Sequence, residues 1–442
     1  MKQTKRIMEF AQYVSLNVMG MIGLSCYILA DTFFVSKGLG TNGLAALNLA
    51  IPIYSFVNGS GLMIGMGGGI RYSIRQGQKE GEEANRVFTC AVYLAAVFAV
   101  FFVLLGIGCP GEIVRAFGAD EHVYEMARTY LQVILLFAPA FLLNNVLLCF
   151  VRNDGAPQLS MAAMIGGSLS NIVLDWVFIF PCGMGIFGAA FATGLSQLLT
   201  CVMYLTHFLG KHTTFHLVRF RPDRHIYRRL LPIGVADGAT ELCNGLMIFL
   251  FNRTILRCIG QDGLVSYTII AYINTLILNI MLGVSQGSQP LVSYHYGQRD
   301  RKGCRRLLQY GLVTLAGMTV LCFGAVQLFA PQIVHIFLGD NNAALSDVSV
   351  GALRRYGLCY LLVGFNVLMG GFLTAVEQPR PAICISTGRG LVLQAGALLA
   401  LAALWGGEAI WFAPVISEVV CLVMALAFMG RFWKSNRTLA AA

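Results

Sequence analysis

Charge is what this chain has least of. Asp, Glu, Lys and Arg make up only 12% of its 442 residues, against 57% hydrophobic residues, and the mean hydropathy is +0.70. A chain this apolar along its whole length reads as a polytopic helical membrane protein rather than a water-soluble domain. Further absences narrow its function. No G-x-x-x-x-G-K-[ST] phosphate loop is present, which argues against ATP-driven pumping, and no TVGYG-type filter is present, which argues against a K⁺ channel. Room for a folded soluble domain is lacking too, because the only sizeable hydrophilic interruption runs from Lys211 to Arg229, with Pro222 and Pro232 at its end. The 13 cysteines are odd in number and show no paired spacing, so they read as small packing residues. His207, His212 and His216 lie at a span end and in a basic loop, too few convergent donors for a metal centre. No small-residue cleavage site follows the first apolar segment, which is therefore expected to be a retained helix.

What is present is a set of apolar runs of about 20 residues, the length that crosses about 30 Å of hydrocarbon. Twelve can be drawn, near 10–36, 44–70, 87–108, 128–151, 159–180, 187–209, 231–258, 264–290, 307–328, 352–376, 382–404 and 408–430. They are too long and too uniformly apolar for barrel strands. The chain also repeats itself at an offset of 220. Gly40-Thr41-Asn42-Gly43-Leu44 returns as Gly260-Gln261-Asp262-Gly263-Leu264. Ser73 with Gly77-Gln78-Lys79 returns as Ser293 with Gly297-Gln298-Arg299, and Ile113, Val114, Phe117 and Asp120 return as Ile333, Val334, Phe337 and Asp340. The expected fold is all-α, with twelve transmembrane helices in two pseudo-symmetric six-helix lobes: residues 1–210, a basic linker 211–230, and residues 231–442. Tandem repeats of this kind are typical of secondary transporters, in which two similar bundles rock around a shared cavity.

Basic residues orient the chain, since they are retained on the cytoplasmic side. They cluster at Lys2, Lys5 and Arg6; at Arg71, Arg75, Lys79 and Arg86; at Arg152; and through the linker, Lys211, Arg219, Arg221, Arg224, Arg228 and Arg229. Further clusters follow at Arg299 to Arg306, at Arg380, and at Arg431, Lys434 and Arg437. Lys37, Arg115, Arg253 and Arg257 fall on the other side. Both termini are therefore expected in the cytoplasm and the protein in the cell inner membrane. The net charge of +10 is a topology signal rather than a nucleic-acid footprint. Expected partners are the lipid bilayer and small organic molecules, with no nucleic acid, for a monomeric protein without a cofactor. Span 2 is rich in glycine, from Gly59 to Gly69, and its counterpart keeps Gly283 and Gly287, as close helix packing requires.

Few charges fall inside the spans: Asp31, Asp175, Asp237, Glu241, Arg389 and Glu418. Such groups are costly in hydrocarbon unless they face a cavity or a partner, which makes function the default reading. At about 1.5 Å per residue, Asp31, Asp175 and Thr193 each lie roughly 8 Å from the outer end of spans 1, 5 and 6. They can share one layer. Asn171 precedes Asp175 by four residues and Tyr27 precedes Asp31 by four, so each pair projects from one helix face. Two carboxylates, a carboxamide and a hydroxyl make an oxygen-rich set suited to Na⁺; held close together, the same acids would share a proton. Either gives a coupling-cation site. Asp237 and Glu241, again four residues apart, sit at mid-depth of span 7 and suit a cationic substrate. Met63, Met66, Met247 and Met281, with Phe249 and Tyr272, suit a greasy cavity for lipophilic cations or simple packing. Arg389 and Glu418, on the last two spans, read as a structural ion pair.

The run Asp31-Thr32-Phe33-Phe34-Val35-Ser36-Lys37-Gly38-Leu39-Gly40, followed by Leu44-Ala45-Ala46, resembles the first-helix signature of the multidrug and toxic compound extrusion (MATE) family. The resemblance extends over almost the entire chain, and Gln378-Pro379-Arg380-Pro381 is similar to its MepA-like branch. It implies an outward-open V of two six-helix lobes and cation-coupled drug export. It implies, too, that Asp31, Asn171, Asp175 and Thr193 bind the coupling cation, and that Tyr27, Tyr130 and Asn145 match the family's supporting residues. Pro232 and Glu241 keep the nine-residue spacing of NorM-like members. Two positions depart from the pattern. The span 10 aspartate of NorM-like members is absent, Asn366 being the nearest polar residue, and Leu16 replaces the first-helix proline, so a bend there would use Gly20 or Gly23.

The reading that follows is an antiporter that exports organic cations in exchange for H⁺ or Na⁺, with drug resistance as its consequence, and not an enzyme. The alternative within the superfamily is a lipid-linked precursor flippase, which would need basic rather than acidic in-span charges. The alternative of another class is a membrane enzyme or sensor, for which a convergent catalytic set and a soluble domain are lacking.

Overall fold

A computed structural model describes residues 2–209, 213–219, 223–339 and 343–438. Lys211, His212, Arg221, Pro222 and Asp340, with the side chains of Lys2 and Arg437, lie outside the described residues. Among the described residues every regular element is helical. The run Lys2–Gly77 holds 76 residues, about 110 Å at 1.5 Å per residue and far more than one membrane crossing requires. Its one non-helical residue, Gly40 (φ 66°, ψ −157°), divides it into α1 (residues 2–39) and α2 (residues 41–77). Gly260, 220 residues later, adopts φ 98° and ψ −160°. It separates α7 (Arg224–Cys258) from α8 (Gln261–Gly297). A positive φ with ψ near 180° is essentially closed to residues bearing a Cβ, so both turns need glycine.

The remaining crossings are α3 (Gly81–Gly108), α4, α5 (Pro157–Ile179), α6 (Gly185–Leu209), α9 (Arg301–Leu338), α10, α11 and α12 (Ala413–Thr438). With α1, α2, α7 and α8 they make twelve among the described residues. Three are not the straight helices drawn from hydropathy. α4 consists of Glu121–Leu136 and Ala138–Asn153, bent by 49°. Pro139 stands in the first turn of the second piece, where it has no N–H to donate and its ring displaces the carbonyl four residues back. α10 likewise consists of Ala343–Gly357 and Tyr360–Ala375. α11 runs from Pro379 to Leu404 through a π-helical turn, Gly388–Val392, which carries Arg389.

Two hydrophobic cores form. One draws on residues 35–231; the other draws on residues 236–429 together with Phe10, Tyr13, Val14 and Val18 at the start of α1. Outward-facing positions such as Val97, Leu104, Val313 and Leu328 are apolar and exposed, as a lipid-facing surface requires. The halves meet along α1 with α8 and α2 with α7. One contact is reciprocal about the pseudo-twofold axis: a Cβ on Gly77 would run into the Tyr294 carbonyl, and one on Gly297 into the Ile74 carbonyl. At the same basic face, Arg6 Nη2 lies 3.0 Å from Asp300 Oδ2, and Arg71 pairs with Glu377.

The linker is less separate than its polarity implies. Arg224–Leu230 form the first turns of α7, capped by the Asp223 carboxylate, which accepts from His225 N at 2.8 Å. Residues 213–219 lie as a strap on the first half. Phe215 is buried among Phe88, Phe150, Phe208 and Tyr72. The strap's backbone donates from Thr214 N to Asp154 Oδ2, from His216 N to Asn85 Oδ1 and from Val218 N to Thr89 Oγ1, each at 3.0 Å. His207 Nε2 contacts the same Asp154 oxygen at 2.9 Å. Of His207, His212 and His216, the first and last are thus tied to acid and amide partners. Among the described residues, no group of three or more His, Cys, Asp or Glu is placed to hold a metal ion.

Candidate functional site

The first half gathers one polar layer. α1 contributes Tyr27 and Asp31, α5 Asn171 and Asp175, α4 Tyr130, and α6 Thr193. Asp175 is 0% exposed and Asn171 1%. The Asp31 and Asp175 carboxyl groups lie close enough to act on each other's charge. Asn171 Nδ2 reaches Thr193 Oγ1 at 3.4 Å, and the Thr193 hydroxyl also donates to the Ala189 carbonyl at 3.0 Å. Tyr130 is within reach of Thr193 and, like Tyr27, faces Asp31. Among the described residues no basic side chain forms an ion pair with either acid. Asp31 Oδ1, both Asp175 carboxylate oxygens and Asn171 Oδ1 are buried without a hydrogen-bond donor. Buried anionic oxygens of this kind are costly alone and are relieved by a proton or a cation. The donor set, all oxygen, fits a hard cation such as Na⁺ as well as a shared proton.

Asn145 is placed elsewhere. Its amide donates to Asn58 Oδ1 at 2.9 Å and to the Phe141 carbonyl at 3.0 Å, between α4 and α2 rather than at the carboxylates. Asn58 in turn reaches Glu241 on α7. Tyr54, one turn before Asn58, lies with its hydroxyl 3.2 Å from that of Tyr27. These two α2 residues join the polar groups of the site, and hydropathy gave no sign of them: both are uncharged and sit in a span already polar enough to look like packing.

In the second half, Asp237 and Glu241 share a helix face but not their surroundings. Glu241 faces α2. Asp237 faces Arg152 and borders a cavity of about 30 Å³, space for a water molecule or two, lined also by Ser285, Gln289, Asn366 and Arg389. Arg389 Nε donates to Glu418 Oε1 at 3.2 Å, and Asn366 Nδ2 donates to Glu418 Oε2 at 2.6 Å. Arg152, read above as a loop charge, is buried at 2% exposure. Its Nη1 donates to Asn17 Oδ1 at 3.0 Å, and its Nη2 lies 3.3 Å from Met66 Sδ. The methionines occupy packing positions. Met247 and Met281 are buried in the second core, Met66 is held between Arg152 and Cys149, and Met63 lies against Gly234 and Gly238 of α7. Gly20 and Gly23 pack on Met164 and Ile165 of α5.

Known proteins are similar to this chain throughout. The MatE family model matches it twice, over residues 18–177 and 239–396, one match in each half. The multidrug export protein MepA of Staphylococcus saprophyticus is 26% identical over 402 residues, covering 90% of this chain and 88% of MepA. Among solved structures, an outward-facing multidrug resistance MATE family transporter of the MOP superfamily superposes with a TM-score of 0.91 at 25% identity, covering 98% of this chain and 96% of its own. A MOP superfamily transporter from Pyrococcus furiosus, described as having a binding pocket of reversed polarity, superposes with a TM-score of 0.90 at 25% identity, covering 97% and 96%. With both halves matched and the twelve-helix fold shared, the chain belongs to the MatE family, the multidrug and toxic compound extrusion transporters.

Proposed function

We propose that this protein is an antiporter that exports organic cations, with H⁺ or Na⁺ moving inward through the first half. One observation carries the reading: Asp31 and Asp175 lie together with no basic partner among the described residues, and Asp31 Oδ1, both Asp175 oxygens and Asn171 Oδ1 are buried without a donor. A pair of acids so placed changes its energy sharply when a proton or cation arrives, which is what a coupling site needs. The acids of the second half, Glu241 and Asp237, give an organic cation its counter-charge. The basic face is cytoplasmic in this reading, both termini lie there, and the protein works as a monomer in the cell inner membrane with no cofactor. The flippase alternative is disfavoured because Arg152 and Arg389, the basic groups nearest the substrate acids, are already engaged by Asn17 and Glu418.

The test uses everted membrane vesicles and a fluorescent lipophilic cation. An acid-inside gradient or a Na⁺-inside gradient should drive the dye into the vesicles. Uptake indifferent to both gradients would overturn the antiport reading.

A further inference from the structure

One line of polar groups belongs to neither half alone. α2 carries Tyr54 and Asn58 four residues apart, on one helix face and about 6 Å apart along the axis. At one end, the Tyr54 hydroxyl lies 3.2 Å from that of Tyr27, which stands one turn from Asp31. At the other, Asn58 reaches Glu241 while its Oδ1 accepts from Asn145 at 2.9 Å. Tyr54 faces the charge of both Asp31 and Glu241. The close approach is built into the backbone: a Cβ on Gly59 would sit 3.0 Å from the Gly238 carbonyl and 3.3 Å from Glu241 Cβ, so α2 and α7 meet here nearly in backbone contact.

We propose that Tyr54 and Asn58 are positioning residues that make cation binding at Glu241 and proton binding at the Asp31–Asp175 pair oppose each other across the two halves. This inference rests on the antiport reading above. Its physical basis is the Tyr27–Tyr54 hydroxyl pair, in which either oxygen can be the donor. When Asp31 is anionic, the Tyr27 O–H turns toward it and Tyr54 donates to Tyr27. When Asp31 is neutral, Tyr27 donates to Tyr54, and the Tyr54 O–H is free to turn toward Glu241 and stabilise its charge. An organic cation that neutralises Glu241 removes that second benefit, so the pair reverts and favours the Asp31 anion. Cation arrival therefore expels a proton, which is the sign antiport requires.

Other charged and titratable groups face the two ends of this link. Besides Asp175, Asp31 is faced by Tyr130 from α4 and Tyr272 from α8. Besides Asn58 and Tyr54, Glu241 is faced by Asp237 of its own helix, and Arg152 faces Asp237.

The experiment is equilibrium binding of tetraphenylphosphonium to the full chain in lipid nanodiscs, read in each protein as the ratio of affinities at about pH 8 and about pH 6. Coupling between sites is commonly 5- to 150-fold, so the wild-type ratio should be about tenfold and that of Tyr54→Phe about twofold or less. Asn58→Ala should lower the ratio in the same way. Proton release on adding the cation, measured in weak buffer, should fall in parallel. A merely structural role would weaken binding at both pH values and leave the ratio unchanged. Wild-type ratios in both variants would overturn the inference. A wild-type protein with no pH response would instead remove proton coupling, the form of the antiport reading on which the inference rests.

Discussion

Asp31 and Asp175 hold each other without a counter-charge, and this makes their substitutions informative. Asp31→Asn keeps the shape but removes one carboxylate. Gradient-driven dye uptake by Asp31→Asn vesicles should fall to the background of empty vesicles, with the protein present in the membrane at wild-type amounts on a blot. Full uptake would show that the pair does not carry coupling. Glu241→Gln tests the other end. A lone carboxylate near a wet surface attracts a cation by about 1 kcal/mol, or roughly fivefold in affinity. Export of a cationic dye should therefore weaken by about that factor and export of a neutral one should not, as measured side by side. The sequence exposes such residues because an acid in an apolar span stands out: Asp31, Asp175, Asp237 and Glu241 all follow from that contrast. Tyr54 and Asn58 do not stand out, since tyrosine and asparagine are tolerated in packed helices. Their importance depends on which face of α2 meets α7, which pattern alone does not fix. Arg152 misleads in the opposite direction: its position at a span end implies a loop charge, whereas the bend of α4 and the close approach of α1 enclose it.

At the scale of elements, hydropathy places the crossings but not their breaks. Gly40 and Gly260 separate helix pairs by backbone conformation, and Pro139 bends α4 within a run that looks uniform. The strap at residues 213–219 is invisible for a similar reason, because its attachment depends on acceptors brought together from separate elements: Asp154 just past the end of α4, and Asn85 and Thr89 of α3. Asp154 accepts from Tyr72, from both the hydroxyl and the backbone N–H of Thr214, and contacts His207. Asp154→Ala removes the acceptor these groups share, at a net cost of about 1 kcal/mol for each hydrogen bond lost. The strap should then detach locally before the bundle melts. Limited trypsin digestion should cleave after Arg219 several-fold faster in the variant than in the wild type, and equal rates would show that Phe215 packing and the bonds to Asn85 and Thr89 suffice.

For the whole molecule, the 220-residue offset makes the duplication legible, but the offset does not say how the halves dock. Docking is decided by contacts that the offset alone does not reveal: Gly77 and Gly297 on the axis, and two ion pairs off it. The Arg6–Asp300 pair is unsuited to sensing neutral pH. Burial raises the Asp300 carboxyl, but the Gly303 N–H, His295 and Arg6 outweigh it and leave it below the ordinary carboxylate range. A depressed folded value means that the contribution is present above the unfolded value of about 3.9 and is lost only as pH falls through the lower folded one. Both partners are also partly exposed, which limits the contact to about 1 kcal/mol or less. Asp300→Asn should accordingly leave the shape of the transport pH profile unchanged above about pH 5, measured as initial dye uptake.

Arg71–Glu377 is the stronger candidate for holding the halves together at the basic face. The Arg71 side chain is only 6% exposed, whereas that of Glu377 is 25% exposed. Glu377 also adopts φ 54°, a conformation that a residue with a side chain takes only when its surroundings enforce it. Removing one partner strands the other, and because Arg71 is the buried one, Glu377→Gln should cost more than Arg71→Gln. If the pair contributes to closure at this face, each single change should slow transport by raising the energy of the state in which the halves touch there. The reversed pair, Arg71→Glu with Glu377→Arg, should restore part of the rate, although Glu377→Arg must still adopt the same strained backbone. A double-mutant cycle on initial dye uptake makes this quantitative: residues in contact show interaction energies of about 0.5–3 kcal/mol, and independent ones add to within about 0.5 kcal/mol. Additive losses in the cycle would mean that the pair stabilises each half separately, and that the closure of the basic face rests on the glycine contact at the axis and the Arg6–Asp300 pair.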